Sequence, residues 1–105
     1  MAQFECVFPS AYSFDDILQY FHAHLTKNHG EYTGGSDYAS GRVRVAVRVY
    51  ERYSWSGGNR LSMTLTLVGD GEELFLSAIT AGGSQGMFLK FNTWGEEFFL
   101  DTLRE

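Results

Sequence analysis

The spacing of apolar residues changes along the chain, and each change marks a predicted element. Phe4, Cys6 and Phe8 alternate as in a short strand, which Pro9 stops because it has no N–H for a continuing ladder. Phe14, Ile17, Leu18, Phe21 and Leu25 then recur at helical spacing and form one apolar stripe. Ser13 is placed to cap this helix, and Asp15 and Asp16 lie in its first turn, where the helix dipole favours negative charge. Lys27 falls in the last turn, followed by Asn28-His29-Gly30 as a C-terminal cap.

From Glu31 the period becomes two. Residues 31–38 are ambiguous, because Gly34 and Gly35 weaken a strand and can mark a bulge. Residues 42–53 read as a long strand with Val43, Val45, Val47 and Val49 on one side. Arg42, Arg44, Arg48 and Arg52 take the other side, with Ala46 and Tyr50 among them. Residues 60–68 alternate again, with Leu61, Met63, Leu65 and Leu67 against Ser62, Thr64 and Thr66. Directly paired residues of an antiparallel ladder share a face. Valines and leucines would therefore pair with each other, joined by Gly57-Gly58-Asn59 as a three-residue loop. Asp70-Gly71 reads as a two-residue hairpin turn pairing Leu67 with Leu74 and Leu65 with Leu76. Residues 73–81 form a strand that is apolar on both faces. Beyond Gly82-Gly83-Ser84-Gln85-Gly86, residues 87–91 are extended, and Thr93-Trp94-Gly95-Glu96 opens a final helix with a capping box.

The expected order is β-α-β-β-β-β-α over residues 1–105, read as a single α+β domain. One antiparallel sheet would carry the helices on one face and leave the other partly open. The element order resembles TATA-binding-protein-like folds, to which helix-grip ligand binders are related, and fold does not imply function.

Composition narrows the function classes. Hydrophobic residues make up 44% and charged residues 20%, an ordinary globular balance. The formal charge of −5 removes any bulk attraction to nucleic acid or an anionic membrane. Cys6 is the one cysteine, so no internal disulfide can form, and no apolar run is long enough to span a bilayer. With no secretory signal pattern, a cytoplasmic protein is expected.

No catalytic signature appears. His22 and His24 lie about 200° apart on a helix, so they cannot ligate one metal from the same face, and no metal or cofactor is expected. Asp15 and Asp16 point apart and serve the helix start. Cys6 has no local activating feature. The glycine loop could offer backbone N–H groups to an anion beside Ser84 and Gln85, although it also reads as a simple bend. The arginines are the better clue. Five of the eight basic residues lie between Arg42 and Arg60, with Glu51 the lone acid in that interval. Arg42, Arg44 and Arg48 would share the open face with Tyr50 and Thr64 and could hold an anionic small molecule or acidic peptide. The competing reading is a solvated face on which arginine stems cover apolar surface. Phe75 and Ile79 also fall on the open face, which favours a twofold homodimer to hide them.

Gly82-Gly83-Ser84-Gln85, Phe91-Asn92-Thr93-Trp94-Gly95-Glu96-Glu97 and Phe99-Leu100 resemble a family of small, functionally uncharacterised bacterial proteins. The resemblance spans about the last fifth of the chain and implies no activity, cofactor or catalytic residue. The chain is therefore expected to be a noncatalytic, homodimeric binding or interaction module. Its alternatives are a helix-grip pocket for an apolar ligand and an enzyme with a site near residues 82–86.

Overall fold

The computed structural model describes residues 2–9, 11–27, 30–53, 60–82 and Thr93. Their elements run β1 (Ala2–Pro9), α1 (Phe14–Lys27), β2 (Glu31–Ser40), β3 (Val43–Tyr53), β4 (Arg60–Gly69) and β5 (Glu73–Ala81). The strands form one antiparallel sheet in the order β1-β5-β4-β3-β2, so the fold is α+β. Thr93 is helical and exposed. The rest of the expected final helix and the extended segment at 87–91 lie outside the described residues.

The start of α1 follows from local chemistry. The Ser13 hydroxyl accepts the Asp16 N–H at 3.2 Å, and the Ser13 carbonyl accepts from Ile17. At the other end, the Gly30 N–H reaches back to the Leu25 carbonyl at 2.8 Å. Ile17, Phe21 and Leu25 point into the sheet and are fully buried. They join Phe4 and Phe8 of β1, Tyr50 of β3, four apolar residues of β4 from Leu61 to Leu67, and Leu74, Leu76 and Ala78 of β5 in one cluster.

The register of β3 against β4 overturns the expected pairing. Ala46 faces Leu67, Arg48 faces Leu65 and Tyr50 faces Met63, while Tyr53 pairs with Arg60 and residues 54–59 connect the strands. An even offset replaces the odd one, and this inverts the assignment of β3 to the two faces. Ala46 and Tyr50 are buried beneath α1, and the arginines lie on that same side. The valines face outward beside Ser62, Thr64, Thr66 and Val68. The valine stripe had looked like core because apolar alternation reports one face without saying which. The arginines can occupy the helix side because their stems cover apolar surface while their heads reach acids at its margin.

The β4–β5 turn is also longer than expected. Gly69 pairs with Leu74, Leu67 with Leu76 and Leu65 with Ala78, so the ladder is shifted by two residues and each side chain keeps its face. The cause is Asp70, whose carboxylate accepts the N–H groups of Glu72 at 2.8 Å and Glu73 at 3.0 Å. Gly71 takes φ 93°, a conformation open to glycine. The backbone N–H groups of Glu73 and Glu72, with help from Arg42, hold the Asp70 carboxyl below its ordinary range. Because the folded-state pKa is depressed, this contribution to stability is fully present above the unfolded value and lost as pH falls through the folded one. Asp70→Asn is expected to flatten that part of the acid limb when unfolding midpoints are measured across pH. An unchanged limb would show that the turn does not couple to acid stability.

Candidate functional site

The arginines expected to form one surface are distributed among separate partners. Arg42 lies across the β4–β5 turn, with its Nε 2.9 Å from where a Cβ on Gly71 would stand. Arg44 forks onto Asp15, at 2.7 and 3.3 Å, and its guanidinium sits 4.1 Å above the Phe14 ring. This pair holds the Asp15 carboxyl below its usual range, yet both side chains are well exposed and the net gain is small. Thr64 points to the opposite face from Arg44, Arg48 and Tyr50, so it leaves the expected site. Ser84 and Gln85 lie outside the described residues.

The structure instead brings Arg48 and Tyr50 to a seam between α1, β2 and β3, together with His22 and Tyr32. Tyr50 is completely buried, and burial pushes its phenol up to about 12. A buried O–H needs an acceptor, and His22 Nδ1 lies 2.8 Å away. Tyr50 is therefore assigned as the donor and His22 Nδ1 as the acceptor, which leaves Nε2–H as the ring's remaining donor. The rings of His22, Tyr32 and Tyr50 form a triangle with centroids 5.6–5.8 Å apart, in edge-on and tilted contacts.

Tyr32 reaches this face because of a bulge. Gly34 pairs with Val49, and a regular ladder would place Thr33 opposite Tyr50. The register shift between Tyr32 and Gly34 puts Tyr32 there instead. Gly35 completes the site by having no side chain. A Cβ there would lie 2.5 Å from the Val47 carbonyl oxygen, 2.7 Å from the Tyr32 hydroxyl and 2.9 Å from Arg48 Cδ. The bare backbone thus lets the Tyr32 hydroxyl and the Arg48 stem converge. The Arg48 guanidinium donates to the Val47 carbonyl at 2.9 Å, to the Ser36 carbonyl at 3.3 Å and to Asp37 at 3.0 Å.

The seam presents N–H and O–H donors beside a half-exposed aromatic ring, because Tyr32 keeps 50% of its surface. The His22 nitrogen that could act as a base is occupied by a phenol that stays protonated, so the arrangement suits recognition of an acceptor. His24 is turned away, with its Nδ1–H donating to the Tyr20 carbonyl at 2.9 Å. Half-buried Cys6 has its thiol pushed up to about 11 by burial, the opposite of an activated nucleophile. His22, Tyr32, Gly35 and Asp37 were not singled out as site residues from the sequence. The Gly34-Gly35 pair was the available signal, because a bulge beside it reorients the preceding tyrosine.

Among the described residues no helix is long and apolar enough to cross a membrane. No curated protein and no solved structure matches the chain. A family match covers all of residues 1–105, far more than the C-terminal fifth that carried the resemblance, and it brings no activity and no bacterial origin with it. The chain belongs to DUF6054, a family of unknown function.

Proposed function

We propose that the protein is a noncatalytic, homodimeric binding module, and that the seam of α1, β2 and β3 takes a small, flat anion such as an aromatic carboxylate. The observation that carries this reading is the approach of the Tyr32 hydroxyl and the Arg48 stem over Gly35, with the His22 ring edge-on to the half-exposed Tyr32 ring. A planar ligand would lie on that ring and direct its carboxylate to the donors. Asp37 acts as an internal stand-in for the anion, since it already occupies one Arg48 nitrogen at 3.0 Å.

Titration with benzoate, followed by the ring resonances of His22 and Tyr32, tests the site. Saturable shifts are expected, with affinity falling roughly tenfold in Arg48→Gln because a charge-assisted hydrogen bond is lost. Asp37→Asn should tighten binding, because the competing carboxylate is gone. If neither ring moves at millimolar benzoate, or if Asp37→Asn weakens binding, the seam is not an anion site.

A helix-grip pocket for an apolar ligand has less support. Ile17, Phe21 and Leu25 share one buried cluster with Leu65, Leu67 and Leu76, in the space such a ligand would need. The alternative of an enzyme near residues 82–86 falls on residues outside those described, apart from Gly82.

A further inference from the structure

Among the described residues, the face of the sheet opposite α1 has the composition of an interface. Val45, Val47 and Val49 run down β3, Phe75 and Ile79 down β5, and Val7 lies on the β1 edge. Phe75 keeps 36% of its surface, Ile79 38% and Val7 56%, although the chain has a packed core in which to bury such groups. Among the described residues the centre of the face carries no charge. Its charged residues stand at the margin: Glu5 on edge strand β1, Glu31 on edge strand β2, Glu73 at the start of β5, and the Glu51–Arg60 pair, 2.9 Å apart, at the ends of β3 and β4. An apolar centre within a polar rim is how protein interfaces are organised.

We infer that this face is where two copies of the chain meet, sheet against sheet, about a twofold axis. The inference rests on the homodimeric half of the reading above and is independent of the ligand half. Charge restricts where a second copy can sit. The chain carries −5, so two copies repel through most of their surface, and this uncharged centre lets like meet like without burying a charge. Area agrees. Five strands at roughly 4.8 Å spacing and 8–11 residues long give a flat area on the order of 700–800 Å², near the ~800 Å² per partner of a standard interface. The β-branched rows of β3 and β4 also suit face-to-face sheet packing, in which side chains of two inner faces interdigitate.

Sedimentation velocity on the whole chain over micromolar concentrations tests the inference. The expected result is a species of twice the 11.9 kDa chain mass, tighter in high salt than in low because the rim acids are then screened. Phe75→Lys should raise the dimer dissociation constant roughly tenfold or more, since it puts a charge into the buried centre. Ile79→Thr keeps a β-branched strand residue and should weaken the dimer in the same direction, which covers the case in which Phe75→Lys fails to fold. Gln19→Lys, on the exposed side of α1, should leave the dimer intact. A dimer that both open-face variants leave unchanged overturns this surface while homodimerisation stands. A wild-type chain that stays monomeric overturns both, and the benzoate titration still decides the seam independently.

Discussion

Phe21→Ala is expected to lower the unfolding free energy by about 3–5 kcal/mol, a large share of the roughly 5–15 kcal/mol that holds a domain together. Phe21 is fully buried at the middle of the α1 stripe, between Ile17 and Leu25, and packs edge-on against Tyr20 at 5.7 Å. Truncation removes its transfer free energy and leaves a void that a helix held from both sides cannot close. Among the described residues α1 is the helix laid over the sheet, so the loss also loosens the His22–Tyr50 contact one residue further on. Urea unfolding at fixed protein concentration measures the effect. A loss below about 1 kcal/mol, the level of an ordinary substitution, would mean that α1 does not anchor the sheet.

Gly35→Ala is the second large effect, and it separates stability from binding. The added methyl meets the Val47 carbonyl oxygen at 2.5 Å, and strand backbone cannot yield to it cheaply. The Tyr32 hydroxyl and Arg48 Cδ, at 2.7 and 2.9 Å, are side-chain atoms and can move, so they are displaced first. A stability cost of about 1–3 kcal/mol is expected, as for other overpacked sites. Benzoate affinity should fall by at least the roughly tenfold predicted for Arg48→Gln, because two seam groups leave their positions together. Tyr32→Phe provides the comparison: it removes the hydroxyl and keeps the ring, so it should weaken binding with little change in stability. If Gly35→Ala binds benzoate like the parent chain, the Tyr32 and Arg48 positions are not what the ligand reads.

The elements themselves were legible because each depends on neighbours in sequence. Ser13 caps the residues beside it, the stripe from Phe14 to Leu25 needs only helical periodicity, and the strands from 43 to 81 announce themselves by alternation. The α+β class follows from those elements in order. Alternation does not say which of two apolar faces a strand will bury, because that depends on the partner strand's offset. The valines of β3 and the pair Ala46 and Tyr50 were rival core faces, and register against Leu61–Leu67 chose the second. That choice moved Arg44 and Arg48 to the helix side, where Asp15 and Asp37 take them up, and it left Thr64 on the other face. The seam was hidden for the same reason. His22, Tyr32 and Tyr50 are separated by 10 to 28 positions, and a one-residue bulge at Thr33 makes them neighbours. Local sequence determined what each segment becomes; long-range pairing, where one residue of offset exchanges the two faces of a strand, decided which side chains meet.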